Sequence, residues 1–364
     1  MNDIKIRHLF PGNNTTEGFY SFYKYILSQK EAKRIFCMKG GPGTGKSSFM
    51  KKLGNHFGNL GYTIEFHHCS SDPNSLDGIV IKELNIAILD GTSPHVVDPI
   101  HPGAVDEIIN LGAAFDTSLL ESHKTEIISV AKEISTNFSR AYRLFAGARK
   151  IHEDWSSINS SAINMNKVYI LIDELKNKLL TSSHADFGSE RHLFSTALTP
   201  SGIISYNRDL SQEAEHLYVI KGGPGLKKSE ILKVIGHEAQ RQGQFVEYFH
   251  DPLIPDRIEN ILIPGLSTGL FTTNEISRIN YNSNELDMKD LCDSKVLADN
   301  SEEILFDKRQ FDNLINEGLS CITTAHELHD NLEKYYIEAM NFSKVDSIYD
   351  ETLNKIEDIR NNFN

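Results

Sequence analysis

The sequence predicts an α/β protein built from two tandem copies of one unit, each a parallel sheet with flanking helices and an appended helical subdomain. Three observations carry this. First, the chain repeats itself in order. RHLF at 7–10 returns at 191–194, and KGGPG at 39–43 returns at 221–225. Ala148 with His152 returns as Ala325 with His329, and Lys167-Val168 returns at the same offset as Lys344-Val345. The offset shrinks slowly along the chain, which is what small loop deletions produce. Second, each copy places an apolar run, a glycine-rich loop, an amphipathic stretch and another apolar run in succession. Third, each copy closes on long stretches with apolar residues every three or four positions. The halves divide at about residue 184, giving 1–184 and 185–364.

The opening elements follow from pattern. Runs at 35–38 and 217–220 read as strands entering the glycine loops. The helices that follow end near Leu60 and Gln242, and runs at 62–68 and 245–249 read as second strands. Strand, glycine loop, helix, strand is the start of a parallel α/β unit.

The closing elements read as helices. Ile127, Ala131, Ile134, Phe138, Ala141, Phe145, Ala148, Ile151 and Trp155 recur at helical spacing. A second stripe, Val168, Leu171, Leu175 and Leu179, is expected to fold back on the first as a helical hairpin. Leu314, Ile315, Leu319, Ile322, Ala325, Leu328, Leu332 and Tyr335 repeat the pattern. Packed helical subdomains over about 116–184 and 276–364 account for these stripes better than coiled-coil partner sites.

Bulk composition narrows the classes. With 39% hydrophobic and 24% charged residues the chain can build cores of ordinary size. A formal charge of -13 disfavours nucleic acid and anionic membranes, both of which need a basic footprint. The first residues lack a signal-peptide run, and no stretch approaches about 18 apolar residues. The four cysteines, Cys37, Cys69, Cys292 and Cys321, form no CxxC pair. A reduced, cytoplasmic setting is expected.

The chemistry sits at GGPGTGKS, residues 40–47, which satisfies G-x-x-x-x-G-K-[ST] between an expected strand and an expected helix. This is the P-loop arrangement. Gly41, Gly43 and Gly45 let the backbone curl so that N–H groups, with Thr44 and Ser48 alongside, face phosphate oxygens. The helix beginning near Lys46 adds its positive N-terminus. Lys46 is expected to reach the β- and γ-phosphates, and the Ser47 hydroxyl to coordinate Mg²⁺. The run 86–89 ending in Asp90 follows the Walker B pattern and makes Asp90 the second Mg²⁺ ligand. ATP with Mg²⁺ is the expected ligand, since no NKxD guanine-reading motif is visible.

Other polar residues carry weaker signals. Asp72, in HHCSSDP at 67–73, is a candidate to position a water or an acceptor hydroxyl, with a helix N-cap ahead of Pro73 as the plain alternative. His67, His68, Cys69, His95 and His101 suggest zinc, but neighbours on a strand point to opposite faces, which is poor ligand spacing. His152 and His329, matched by the repeat, are expected to share a structural job. Arg143 and Arg149 are candidates for arginine fingers supplied in cis.

The second loop reads GGPGLKKS, with Lys227 in place of the last glycine and Lys228 and Ser229 in the places of Lys46 and Ser47. A side chain at 227 is expected to intrude where backbone wraps phosphate. Aligning Asn85 with Asn260 puts Pro264-Gly265 at the place of Leu89-Asp90, so the metal-binding acid is missing as well. Chemistry is therefore expected in the first half and a degenerate site in the second.

The paired RHLF and KGGPG segments, with CSSDPNSLDG, ILDGTSPHVVDP and HLFSTALTPSG, resemble a bacterial family of tandem P-loop ATPases. The likeness spans nearly the whole chain and implies nucleotide binding by 40–48 and Asp90; Lys227 departs from it. LDGTSPH at 89–95 also resembles the DG-x-P-R stretch of adenylate-kinase-like enzymes, with one extra residue and His95 in the place of arginine. Three functions follow as expectations: an ATPase acting on an unidentified protein partner, a kinase for a small-molecule or nucleotide acceptor, and a nucleotide sensor without turnover.

Overall fold

The computed structural model describes residues 5–93, 96–180, 186–281, 283 and 285–362. In the first half, β1 (Ile6–Leu9), β2 (Gly12–Thr15), β3 (Gly18–Ser21) and β4 (Arg34–Lys39) lead through the glycine loop into α1 (Lys46–Asn59). Then come β5 (Ile64–His68), β6 (Leu76–Ile81), β7 (Ile86–Asp90), β8 (Asp106–Asn110), α2 (Thr117–Ser122), α3 (Lys124–Ala162) and α4 (Met165–Leu179). The second half repeats the order as β9 (Glu190–Leu193), β10 (Thr196–Thr199), β11 (Gly202–Ser205), α5 (Asn207–Ser211), β12 (His216–Lys221) and α6 (Lys228–Arg241). It continues through β13 (Val246–His250), β14 (Ile258–Ile263), β15 (Thr268–Thr273), β16 (Glu285–Asp287), α7 (Ser294–Asp299), α8 (Ser301–Glu338) and α9 (Phe342–Asn361).

Two six-stranded sheets share one topology, β1-β5-β6-β7-β4-β8 and β9-β13-β14-β15-β12-β16. Ile35, Phe36, Cys37 and Met38 of β4 are all buried, as a central strand covered on both faces requires. The sheets are mixed, which corrects the expectation of parallel ones. β6 runs antiparallel to β5 and β7, and β14 antiparallel to β13 and β15. The cause is connection length. The turns at 69–75 and 82–85 are too short for the crossover that a parallel neighbour needs.

The repeated RHLF is explained by β1 and β9, edge strands parallel to β5 and β13. Arg7 meets the buried Glu65 at 2.7 Å and Arg191 meets Glu247 at 3.2 Å. His8 and His68 share a hydrogen bond at 2.9 Å, and His192 and His250 share one at 2.8 Å.

The chain separates into two compact units that do not follow the repeat boundary. Unit 1 comprises Met1–Gly12, Ser21–Ser139 and Cys321–Asn364; unit 2 comprises Asn13–Tyr20 and Arg140–Ser320. In unit 1, the α1 face of Phe49, Met50, Leu53 and Phe57 packs with Val345, Tyr349 and Ile356 of α9 over the sheet. In unit 2, Ile231, Leu232, Ile235 and Ala239 of α6 pack with Val168, Ile172, Leu175 and Leu179 of α4. Each sheet is thus covered by a terminal helix encoded in the other half of the sequence. The 168–179 stripe does not close a hairpin on α3; it enters the core of unit 2. Asn164 caps α4 with its side chain and Asn341 caps α9, at positions matched by the repeat.

Among the described residues, no helix is long and apolar enough to cross a membrane.

Candidate functional site

The first loop leaves β4 and turns through Gly43 at φ +63° and Gly45 at φ +87° before α1 begins at Lys46. Both angles lie in the left-handed region that side chains disfavour, which is why glycine stands at each. Thr44 is buried and its hydroxyl donates to Gly41 O at 2.9 Å, tying the loop to itself. No side chain caps α1, so its positive end is left for an anion.

The expected site residues converge there. Lys46 Nζ donates to Gly41 O at 2.7 Å and Gly40 O at 3.2 Å, and lies 3.6 Å from Asp90 Oδ2. Asp90 ends β7, directly beside β4 in parallel register, with Met38 opposite it. Its other oxygen, Oδ1, accepts from Thr92 N–H at 2.9 Å and from the Thr92 hydroxyl. Ser47 Oγ accepts from Leu76 N–H at 3.1 Å, which fixes the hydroxyl at the head of the helix. Ser48 is exposed.

Asp72 has a turn role. Its Oδ1 accepts from Asn74 N–H at 3.1 Å and its Oδ2 from the Ser75 hydroxyl at 2.5 Å. No helix starts there, so the N-cap alternative becomes a turn closed by Ser75 N–H on Asp72 O.

The last turns of α8, encoded in the second half, lie on this loop within unit 1. Glu333 Oε1 accepts the Gly43 N–H at 3.1 Å. A methyl group on Gly41 would stand 2.7 Å from the Tyr336 ring, and one on Gly43 would stand 2.9 Å from Ile337. Close approach thus restricts Gly41 and Gly43, and φ restricts Gly43 and Gly45.

Unit 2 builds the same frame around Gly222–Ser229 differently. Lys227 adopts φ +62°, the conformation of Gly45, so the loop keeps its course without the glycine. Its Nζ lies 3.3 Å from Glu230 on α6, and the residue lines the cavity at this loop. Lys228 Nζ donates to Gly223 O at 2.9 Å and to Gly222 O, the posture of Lys46. Ser229 Oγ accepts from Ile258 N–H at 2.8 Å, matching Ser47.

Strand register corrects the alignment on Asn85 and Asn260. Thr272 lies opposite Ile220 in β12 as Asp90 lies opposite Met38 in β4. The backbone partner of Asn85 is Ser267, since both end a short 3-10 turn with φ near +50°. Threonine, not Pro264-Gly265, replaces the acid.

A buried ionic group beside this loop escaped sequence reasoning. His152 of α3 contacts Glu275, whose Oε2 is buried without a hydrogen-bond partner, and Arg257 lies 3.3 Å from His152 Nδ1. Arg257, Asp251, Glu259 and Glu275 line a cavity of about 170 Å³ at the loop. Burial pushes Glu259 up to about 7, with Asp251 adding repulsion. Burial also pushes Glu275 upward, but His152 and Lys228 together outweigh it and hold the group at about 2. His329 does not share this job. It is half-exposed and 3.8 Å from Glu333 on its own helix, so the repeated histidines keep position with different partners.

The remaining candidates separate. His68 is engaged by His8 and by Pro73 O, and His101 by Gln29. Among the described residues, the only His, Cys, Asp or Glu group of three with ligand atoms within 4.8 Å of one another is His329, Asp330 and Glu333, and it includes none of His67, His68, Cys69 and His101. His95 lies outside the described residues. Arg149 pairs with Glu17 and Glu153 in unit 2, whereas the intact loop belongs to unit 1. Arg143 belongs to unit 2 as well.

No family model, no curated protein and no solved structure matches this chain.

Proposed function

We propose that the chain binds Mg-ATP at residues 40–48 and hydrolyses it, with the chemistry in the first loop. The observation that carries this is the convergence of Lys46, Ser47 and Asp90 at the uncapped start of α1, behind a loop turned by left-handed glycines. The backbone donors and the helix end suit phosphate oxygens. Lys46, held 3.6 Å from Asp90, is the group to swing onto the β- and γ-phosphates. A hydroxyl and a carboxylate are hard oxygen donors, the kind Mg²⁺ takes alongside phosphate and water. Ser47 and Asp90 would hold the ion, and the ion would draw charge from the transferring phosphoryl group. Asp72 is assigned to its turn, because both its oxygens are engaged there.

Unit 2 is proposed as a non-hydrolytic counterpart, since Thr272 stands where the acid is needed. A nucleotide sensor is the second reading, favoured by that loss. Equilibrium binding of Mg-ATP tests the proposal. Wild type must bind, and Lys46→Ala must lose most of the affinity. Equal binding by the two proteins would refute the assignment.

A further inference from the structure

Among the described residues, Glu333 is the one carboxylate hydrogen-bonded to a backbone N–H of the intact loop. Such N–H groups, at the head of a helix, are the donors that bind phosphate oxygens. A carboxylate is an oxyanion of the same hydrogen-bonding kind. We infer that Glu333 occupies the phosphate-binding hole of the first loop as an internal anion, and that an incoming nucleotide phosphate must displace it. The inference rests on the P-loop reading above and adds regulation of that same site.

The packing supports displacement rather than coexistence. The Tyr336 ring and Ile337 lie so close that not even a methyl group fits at Gly41 or Gly43. Lys46, the cation that would meet a phosphate, instead donates to the loop's own carbonyl oxygens. A phosphate placed at Gly43 would face the charge of Glu333 at hydrogen-bond range, where like charges repel most strongly.

The other loop supplies the contrast. The offset that matches His152 with His329 also matches Ser156 with Glu333, and the Ser156 backbone oxygen packs against Gly225 of the second loop. Asn159 and Ser160 donate to Pro224 O at 2.8 Å and Gly225 O at 2.9 Å. That helix grips carbonyl acceptors and places serine where α8 has glutamate. The internal anion thus sits over the loop that keeps its full motif.

The experiment is titration of the full chain with a slowly hydrolysed Mg-ATP analogue, comparing wild type, Glu333→Gln, Glu333→Ala and Lys46→Ala. Thermal melting first establishes that each variant folds. Removing a charge-assisted hydrogen bond that competes with the ligand is expected to tighten binding by about tenfold or more in both Glu333 variants. Lys46→Ala is expected to bind weakly. Unchanged or weaker binding by the Glu333 variants, with Lys46 still required, overturns the inference and leaves the P-loop reading intact. Binding by none of the proteins, or binding indifferent to Lys46, overturns the P-loop reading and the inference with it.

Discussion

Gly45 and Lys227 turn the same backbone corner, at φ +87° and +62°, and α1 and α6 each begin at the lysine that follows. One position uses the residue that enters the left-handed region freely. The other forces an L side chain into it, at about 1 kcal/mol or somewhat more. The strain is tolerated because both flanks of the loop are held, Lys228 on the loop carbonyls and Ser229 on β14.

Lys227→Gly is therefore expected to stabilise the protein by up to about 1 kcal/mol, less the entropy that glycine adds to the unfolded chain. The ion pair lost with Glu230 is solvent-exposed and subtracts little. Urea unfolding midpoints of the two proteins check this, and a clear destabilisation would contradict it.

Arg7→Met is expected to cost on the order of 1–3 kcal/mol, because it removes the guanidinium nearest the buried Glu65 carboxylate while Lys82 and His67 stay 3.4 Å from it. The double variant Arg7→Met/Glu65→Leu should recover part of the loss, since part of the penalty is the weaker pairing of a buried carboxylate. Chemical unfolding of the three proteins reads this directly.

Gly225→Ala should be severe. Its new methyl group would lie 2.1 Å from Ser156 O at a backbone φ of +78°. Gly18→Ala has φ +95° and open space around it, and so isolates the conformational cost. A melting temperature lowered more in the first variant than in the second separates collision from strain.

The repeated histidine pairs predict acid sensitivity. Burial holds His68 down at about 4 and His250 at about 3. In the unfolded chain a histidine titrates near about 6.5. Between those values the unfolded state binds more protons, so stability is full above about pH 6.5 and falls as pH drops through the folded values. From pH 7.5 to 5 the loss is on the order of 2 kcal/mol per histidine. Unfolding midpoints at the two pH values should fall accordingly, and His68→Gln should flatten the dependence.

The duplication, the loop, the strands at 35–38 and 86–89 and the long helices were legible in the sequence because each has a local signature. β6 was not, since antiparallel insertion depends on connection length rather than on apolar pattern. The exchange of α4 and α9 was illegible for a deeper reason. In a duplicated chain the stripe Val168, Leu175, Leu179 fits either copy's sheet, and periodicity does not say which. Glu333 could have been flagged. The repeat pairs it with Ser156, so a charge appears at that place in one copy alone.

Release of ADP from Mg-ATP by wild type, Lys46→Ala and Lys228→Ala reads out which loop carries the chemistry. Lys46→Ala is expected to abolish turnover while Lys228→Ala retains most of it. Loss of activity in Lys228→Ala, with Lys46→Ala active, would place the chemistry at the second loop and refute its assignment to the first.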